Sequence, residues 1–249
     1  MERFLICAMD IGEQMLISGA EVHRVEESIE RMCYSFGALR VDVFTITSSM
    51  VVTVYTKDGS QYTTSRRITN ATTDFEKIHL LNELCREICD GNLTLEKIKK
   101  RLKEISRTGS YPYWLVVLSY GLVVGSFTLF FGGTFLEAAV SFVVGLLVRL
   151  AVSLSEKAIS NKIFGKFLAS ALASVLAFLA LKMNIIPTVD NLIIGNIMTL
   201  IPGIGLTNAL RDLFTGDSIA GLLRSIEAVL FGLAIAAGYF LVAVIGGMI

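Results

Sequence analysis

One stretch in the apolar half of the sequence combines a proline, glycines and charged residues. The segment from Leu200 to Asp217 reads LIPGIGLTNALRDLFTGD. Pro202 lacks an amide proton, and Gly203 and Gly205 loosen the helix around it. Unwound backbone at membrane depth persists only inside protein or beside a water-filled cavity. Transporters form substrate sites at such breaks, because the second half-helix begins with partial positive charge.

The side chains after the break supply hydrogen-bonding groups and charge at helical spacing. We expect a substrate carboxylate to meet the half-helix N-terminus and Arg211, because both carry positive charge. A substrate ammonium or hydroxyl would then meet Asn208 or Asp212. The predicted substrate-binding residues are Pro202, Gly203, Gly205, Thr207, Asn208, Arg211 and Asp212.

Other ionisable residues of the apolar half are few, and we assign them to proton coupling or gating. A charged side chain facing lipid at mid-depth costs about 2.5 to 3.5 kcal/mol, so these residues should face the protein interior. Asp212 or Glu137 is the expected carrier of a coupling proton, while Arg149 fits a structural ion pair as well as a solute path. The predicted coupling or gating residues are Glu137, Arg149, Asp212 and Asp217, with Arg24 and Glu27 from the charged half.

Charge is distributed unevenly along the 249 residues, of which 53% are apolar. Residues 1–110 contain 15 of the 22 basic and 16 of the 22 acidic side chains, which leaves 7 and 6 for the other 139 residues. The composition indicates a water-facing domain over residues 1–110 and a transmembrane domain over residues 111–249. Because basic and acidic residues balance, no basic field for nucleic acid is expected.

The first domain is predicted to be cytoplasmic. Acidic residues interrupt the apolar N-terminal stretch, so we expect no signal peptide. The four cysteines all lie in this domain, which suits a reducing compartment. Cys85 and Cys89, with His79 upstream, would allow a metal site, but structural zinc needs four converging ligands. We expect buried thiols and neither a metal nor another cofactor.

The first domain is predicted to be α+β. Two helices are expected over residues 3–17 and 20–34, and β-branched runs predict strands at Val41–Thr47, Met50–Thr56 and Gln61–Arg67. Thr73 and Glu76 predict a capping box before a third helix. A fourth helix is basic and is expected to contact anionic membrane lipid. Arg24 and Glu27 lie on a helix face that fits either simple solvation or the inner mouth of a membrane pathway.

The apolar stretches of residues 111–249 predict an α-helical polytopic membrane protein with five spans, one of them broken at Pro202. Glycines within the spans are expected to allow close helix packing, among them Gly121, Gly125, Gly145, Gly232 and Gly238. The predicted spans are Pro112–Phe131, Phe135–Ser155, Phe164–Lys182, Leu192–Leu210 and Leu222–Ile245.

Four strings of the sequence resemble the threonine/serine exporter family. They are GAEVHRVEESIERM from Gly19, SYPYW from Ser110, FGG from Phe131 and IPGIGLTNALRDLFTGDSIAGLLR from Ile201. The resemblance covers nearly the whole chain. It is to the N-terminal half of full-length members, or to the larger subunit of split, two-component members.

The resemblance implies an inner-membrane exporter of threonine and serine or of a small dicarboxylate such as succinate. It also implies a companion four- or five-span membrane subunit of the same family, and it is compatible with a homo-oligomer. No GxxxxGK[ST] loop is present, so we expect an ion or proton gradient to supply the energy. Residues that match the family signatures are Pro202, Gly203, Asn208, Arg211, Asp212, Gly216 and Asp217 in the membrane motif, and Arg24 and Glu27 in the cytoplasmic motif.

Two other classes of protein fit the sequence less well. An intramembrane enzyme is not expected, since His23 and His79 both lie in the first domain and neither HExxH nor GxSxG occurs. A membrane-anchored regulatory or scaffold protein, whose cytoplasmic domain binds a partner, stays open as the alternative. An anchor alone would need neither five spans nor polar residues within them.

Overall fold

The computed structural model describes residues 1–69, 72–91, 93–109, 111–158 and 161–247, with backbone alone for 155–158. Ser110, the first residue of the SYPYW string, lies outside the described residues. The chain divides into two compact units. The first unit combines Met1–Gly109 with Thr207–Ser225, and the second combines Ser110–Leu206 with Ile226–Ile249. A short segment from the apolar half therefore belongs with the charged N-terminal residues.

The first unit contains four complete helices, parts of two more helices from Thr207–Ser225, and a three-stranded antiparallel sheet in the order β1-β2-β3. Alternate residues of β2 are buried, namely Met50, Val52 and Val54, as expected for a sheet with one face on a core. The elements are α1 (Glu2–Ile17), α2 (Val22–Ser35), β1 (Arg40–Ile46), β2 (Ser49–Tyr55), β3 (Gln61–Arg67), α3 (Phe75–Cys89) and α4 (Leu95–Arg107).

The core of the first unit is built on α1, which is buried along most of its length. Leu5, Met9 and Met15 are fully buried and contribute to one apolar cluster with residues of α2, the sheet, α3 and α4. At Gly12 a Cβ atom would lie 2.7 Å from Ile29 Cδ1, so glycine lets α1 and α2 approach closely. Ala220, from the distant segment, is part of the same core.

The start of α3 differs from the prediction. The helix is capped by Asp74, whose Oδ1 accepts a hydrogen bond from the Lys77 amide at 3.0 Å. The predicted capping box that begins at Thr73 is therefore wrong by one residue. An aspartate carboxylate is as good a cap as a threonine hydroxyl, and its charge also suits the helix N-terminus.

The second unit consists of long apolar helices. Four helices of the described chain are long and apolar enough to cross a membrane, or five if α8 and α9 count as one bent span. The elements are α5 (Tyr113–Phe130), α6 (Phe135–Ala158), α7 (Lys162–Lys182), α8 (Asp190–Leu200), the first turn of α9 (Gly203–Thr215) and most of α10 (Ser218–Ile245). They agree with a multi-pass membrane protein, although the number of spans depends on the bent pair.

Small residues allow these helices to pack closely. A Cβ atom on Gly125 would lie 3.0 Å from the Ala138 carbonyl oxygen, and one on Gly238 would overlap the Phe167 carbonyl oxygen. Gly232 differs, because no atom of the described residues lies within 4 Å of the position that a Cβ atom would take there. The packing role predicted for Gly232 is therefore wrong for the contacts within this chain.

The helix break lies where the sequence predicts it. α8 ends at Leu200 and α9 begins at Gly203, with a bend of 52° between them. The Leu200 carbonyl oxygen accepts a hydrogen bond from Lys166 Nζ at 2.8 Å. Because Pro202 has no amide proton to donate, carbonyl groups at the end of α8 need such an outside partner.

Candidate functional site

The first group of polar residues surrounds the turn between α1 and α2. Gly19 ends α1 with φ of +92°, a conformation that favours glycine. A Cβ atom there would also lie 2.8 Å from the Thr72 carbonyl oxygen. We call the residues that meet at this turn the Asp212 cluster, which consists of Gly19, Ala20, Glu21, Val22, Asn208, Arg211, Asp212 and Arg224.

Asp212 caps α2 from a great distance in sequence. Its Oδ1 accepts a hydrogen bond from the amide of Val22, the first residue of α2, at 3.3 Å across 190 positions. The local N-cap residue, Glu21, makes no side-chain capping bond. The carboxylate of Asp212 is fully buried and lies where the partial positive charge of the helix N-terminus favours an anion.

Arg224 neutralises the buried carboxylate. Its Nη1 lies 3.1 Å from Asp212 Oδ2, with 14% of the arginine side chain exposed and none of the aspartate. The contact is an ion pair without the alignment of a hydrogen bond, since Asp212 Oδ2 has no hydrogen-bond partner among the described residues. Arg224 Nη2 also donates to the Ala20 carbonyl oxygen at 3.1 Å. Removal of either charge would leave the other buried and unpaired.

Two further side chains of α9 bind the same turn. Asn208 Nδ2 donates to the Gly19 carbonyl oxygen at 3.2 Å. Arg211 forms an ion pair with Glu21, although its own side chain is 62% exposed. The structure therefore brings Asn208, Arg211 and Asp212 together on the α1–α2 turn, where their side chains bind protein groups.

The predicted gating residues Arg24 and Glu27 do not join this cluster. They lie on the exposed face of α2, where Glu27 pairs with Arg31 at 3.3 Å. Asp217, between α9 and α10, has a buried Oδ2 without a hydrogen-bond partner in the described part of the chain.

Glu26 is a functional candidate that sequence reasoning missed. Its Oε1 accepts a hydrogen bond from the Thr45 amide at 2.6 Å. Burial raises the pKa of Glu26 to about 7, and the negative charge of Asp217 raises it further, against the lowering effect of the Thr45 hydrogen bond. A helix-face pattern could not reveal this, because the burial comes from residues distant in sequence.

Glu137 lies at the start of α6 in the second unit. It is 2% exposed, and its Oε2 accepts hydrogen bonds from the Thr134 amide at 2.7 Å and the Thr134 hydroxyl at 3.0 Å. The Thr134 hydroxyl accepts from the Glu137 amide at 3.2 Å in return. This reciprocal arrangement is a capping box, which gives Glu137 a structural role at the helix N-terminus. Its proton-coupling role stays a prediction.

A second polar group lies beside the helix break, and we call Tyr120, Asn196 and Thr199 the Asn196 cluster. The Thr199 hydroxyl contacts the Tyr120 hydroxyl at 2.7 Å and the Asn196 carbonyl oxygen at 2.7 Å. Asn196 is 1% exposed, and its Nδ2 donates to the Leu192 carbonyl oxygen at 2.9 Å. Its Oδ1 is buried with no hydrogen-bond partner among the residues that the structure describes. Arg149 is near enough to Tyr120 to interact with it electrostatically.

The Asn196 cluster was not predicted, because the predicted substrate-binding residues all lie at the break or after it. Asn196 and Thr199 precede the break, and Tyr120 lies on a different helix. Thr199 comes three residues before Pro202, so the cluster lies about one helical turn from the break. Polar residues followed by a proline in the same span were the available signal.

The structure gives no support to a metal-binding role for the cysteines. In the described ranges no group of three or more His, Cys, Asp or Glu side chains is placed to hold a metal ion. Burial raises the pKa of Cys33 and of Cys85 to about 12. Both thiols are therefore neutral at physiological pH and behave as small apolar side chains.

Comparison with known proteins places the chain in a transporter family. The model of the ThrE family, described as "Putative threonine/serine exporter", matches residues 7–246. No solved structure matches the chain significantly.

Some of the curated relatives are about as long as this chain, and others are about twice as long. The "Probable succinate transporter subunit YjjP" of Escherichia coli is 26% identical over 95% of this chain and 92% of its own length. The protein of the same name in Klebsiella aerogenes is 25% identical over 94% of this chain and 90% of its own length. The "Probable threonine/serine exporter" of Mycobacterium tuberculosis is 25% identical over 92% of this chain, which spans only 43% of that relative.

These matches agree with the apolar helices of the second unit and with the family motifs in the first. The relatives are named as transporters and not as enzymes. The chain belongs to the threonine/serine exporter family.

Proposed function

We propose that this chain is one subunit of a secondary transporter in the inner membrane. It exports a small hydroxy amino acid, such as threonine or serine, or a small dicarboxylate such as succinate. Residues 1–109 lie in the cytoplasm, and a companion subunit of the same family completes the transport path. The names of the relatives support both substrate classes, and the word "subunit" in two of them supports a companion.

The observation that carries the proposal is the buried Oδ1 of Asn196 beside the broken helix. An amide oxygen buried without a partner costs about 1 to 3 kcal/mol, so a ligand group that donates a hydrogen bond would be bound favourably there. A substrate hydroxyl or ammonium is such a donor. The hydroxyl groups of Tyr120 and Thr199 extend the polar surface of the same site.

The first turn of α9 supplies the complementary charge. Amide groups at a helix N-terminus lack intrahelical acceptors, and Gly203 and Gly205 are among the residues of this turn. The Gly203 amide already donates to the Ile201 carbonyl oxygen at 2.9 Å, so the proposed anion site uses the amides of Ile204 and Gly205. The substrate carboxylate binds these amides, as helix N-termini bind anions in general. Pro202, Gly203, Gly205 and Thr207 thus keep their proposed substrate-binding role, with Arg149 as a further cation on the path.

The Asp212 cluster has a gating role in this mechanism. α9 and α10 both continue from the first unit into the helices of the second. Asn208, Arg211 and Asp212 bind the α1–α2 turn, so any movement of α9 must carry the turn with it or break these hydrogen bonds. Asp217 follows directly and takes part in the same movement.

Coupling to a proton gradient is the proposed source of energy. Glu137 and Asp212 are the acidic side chains that are buried in the described part of the chain, and each is a proton-carrier candidate. Membrane lipid surrounds the apolar helices, and the proposal is compatible with a homo-oligomer of the chain.

Counterflow in reconstituted vesicles tests the proposal. Vesicles with the chain and a companion subunit should accumulate labelled threonine, serine or succinate against the unlabelled solute. Tyr120→Phe and Thr199→Val should each reduce uptake several-fold, because each removes one hydroxyl of the Asn196 cluster. Tyr239→Phe is the matched control, since Tyr239 stacks on Phe178 in the same unit.

Three results would contradict the proposal. Uptake of none of the three solutes with the companion present would exclude the transporter function as stated. Equal uptake by Tyr120→Phe, Thr199→Val and the control would remove the Asn196 cluster from the substrate site. Full activity of vesicles that contain this chain alone would exclude the need for a companion.

A further inference from the structure

A cleft of about 320 Å³ opens between α2 and α3 in the first unit. Arg24 and Arg31 line it from α2, and Asn82 and Arg86 line it from α3. We propose that this cleft is a binding site for a small dicarboxylate anion. The inference goes beyond the export function, because the cleft shares no residue with the Asn196 cluster or the Asp212 cluster.

Two of the three arginines of the cleft form no ion pair with the acidic residues that the structure describes. Arg31 pairs with Glu27 at 3.3 Å. Neither Arg24 nor Arg86 has an ion-pair partner within the described ranges of the chain, and both side chains are exposed. Guanidinium groups bind carboxylates through two parallel hydrogen bonds, which makes arginine well suited to recognition of such anions.

The acidic residues and thiols of the cleft do not cancel this charge. Three arginines face two carboxylates, those of Glu27 and Asp90, so the lining has a net charge of one positive unit. The two cysteines of the lining, Cys85 and Cys89, add no negative charge. Burial raises the pKa of Cys85 to about 12 and also raises the pKa of Cys89 above its ordinary value of 9.0.

The positions of the unpaired arginines select the class of ligand. Arg24 and Arg86 come from different helices, one on each wall of the cleft. The two carboxylates of one dianion compensate both positive charges, whereas a single carboxylate compensates only one. A zwitterionic amino acid is less suited, because the guanidinium groups repel its ammonium. The volume is at the small end of ligand sites and fits a short-chain acid.

A ligand bound in the cleft would affect the first turn of α2. Arg24 lies two residues after Val22, whose amide is bound by Asp212. A ligand on Arg24 is therefore within the same helical turn as the Asp212 cluster. The site is suited to sense a cytoplasmic anion and to report it to the cluster that holds α9.

Cysteine labelling gives a readout confined to the cleft. Cys89 is partly exposed, whereas Cys7, Cys33 and Cys85 are buried. The full chain in detergent is treated with a maleimide at mildly alkaline pH, and modification of Cys89 is followed by mass spectrometry. Succinate at about ten times its dissociation constant should slow the labelling of Cys89 about tenfold, as expected for simple mass action.

Variants of the arginines show whether protection comes from the proposed site. Arg24→Gln and Arg86→Gln should each abolish most of the protection by succinate. Arg67→Gln is the matched control, because Arg67 is an exposed arginine on β3 away from the cleft. If a glutamine variant labels abnormally fast without ligand, Arg24→Lys and Arg86→Lys replace it. These keep the charge but lose the two parallel hydrogen bonds, and they should retain partial protection.

Several results would overturn the inference. Absence of protection at millimolar succinate, or equal protection by sodium chloride at the same ionic strength, would exclude a specific site. Equal protection by acetate or inorganic phosphate would exclude the dicarboxylate class. Protection that persists in both glutamine variants would exclude the two arginines. None of these outcomes bears on counterflow through the second unit, so failure here is distinguishable from failure of the export function.

Discussion

The Asp212 cluster and the Asn196 cluster are both polar groups in largely apolar surroundings, but their atoms are paired to different extents. In the Asp212 cluster the carboxylate caps α2 and pairs with Arg224, and the turn carbonyls of Gly19 and Ala20 accept side-chain hydrogen bonds. In the Asn196 cluster the amide oxygen is left without a partner among the described residues.

This difference distinguishes two roles of buried polar groups in the protein. Asp212 Oδ2 also has no hydrogen-bond partner among the described residues, but its charge is compensated by Arg224. A cluster whose charges are paired in this way specifies one arrangement, because removal of one charge leaves the other buried and unpaired. A cluster with an unpaired group is less stable by itself, and it is stabilised when a ligand supplies the missing donor. We infer that the Asp212 cluster holds the protein together while the Asn196 cluster recognises the solute.

Removal of the Asp212 carboxylate should have the largest effect on stability. Asp212→Ala leaves Arg224 buried without its counter-charge and the start of α2 uncapped, so the free energy of unfolding should fall by about 3 to 5 kcal/mol. Thermal unfolding of the detergent-solubilised chain measures the change. The double variant Asp212→Ala/Arg224→Ala should recover part of the loss, and strict additivity would argue against a coupled pair.

The contact between α9 and α10 gives the next largest effect. A Cβ atom on Gly221 would lie 2.8 Å from the Ala209 carbonyl oxygen and 2.9 Å from the Leu213 amide nitrogen. Gly221→Ala should therefore destabilise the protein by about 1 to 3 kcal/mol, since the backbone of α9 must shift. Gly232→Ala is the matched control on α10, because the added methyl group has no neighbour within 4 Å in the part of the chain that the structure describes. Equal stability of the two variants would show that α9 and α10 are not in close contact.

Asn196→Leu should change stability and transport in opposite directions. The substitution removes the unpaired amide oxygen, so the free energy of unfolding should be unchanged or higher by about 1 kcal/mol. Counterflow of the solute should be lost, because the hydrogen-bond acceptor is lost. A variant that is both destabilised and active would reverse the roles assigned to the two clusters.

The raised pKa of Glu26 predicts a modest dependence of the free energy of unfolding on pH. Its pKa is about 7 in the folded protein against an ordinary value of 4.5, so the folded state binds more protons than the unfolded state between those pH values. The free energy of unfolding should therefore fall as the pH rises from about 4.5 to about 7. Below pH 4.5 it should show no such loss. Glu26→Gln should reduce the fall by about 1 kcal/mol, after allowance for partial solvent exposure. An unchanged pH profile in Glu26→Gln would show that another group titrates.

Arg211 should give the smallest change in stability. Its ion pair with Glu21 is largely exposed, and exposed pairs contribute about 0 to 1 kcal/mol. Arg211→Gln should therefore unfold nearly as the wild type does, in contrast to Asp212→Ala. Counterflow should nevertheless decrease if Arg211 takes part in gating. A stability loss as large as that of Asp212→Ala would mean that the two neighbouring charges act as one unit.

Periodicity and composition predicted the elements of the fold well. Strand β3 has the predicted bounds, β1 and β2 begin and end one residue early, and α5 lies within one residue of the predicted first span at each end. The break at Pro202 followed from covalent chemistry, because proline cannot donate the amide hydrogen bond that a continuous helix needs. Local rules suffice where local interactions decide the structure.

The pairing of distant segments could not be predicted in this way. Asn208, Arg211 and Asp212 were identified as a unit, but their partners at the α1–α2 turn are about 190 residues away. Glu21 in one family motif and Arg211 in the other carry opposite charges, which would have been a hint. Asn196 was missed for another reason. It precedes Pro202, and the burial that leaves its Oδ1 without a partner among the described residues cannot be read from the sequence.

The long-range cap on α2 has a consequence for the order in which the protein is made. The amide of Val22 leaves the ribosome long before Asp212, the residue that accepts its hydrogen bond. The intervening apolar helices must therefore be synthesised and inserted into the bilayer before the N-terminal unit can complete its first packed turn. A chain released by a ribosome that stalls within those helices would lack the hydrogen bond that closes the α1–α2 turn. We expect cellular proteases to cleave such incomplete chains first at this turn.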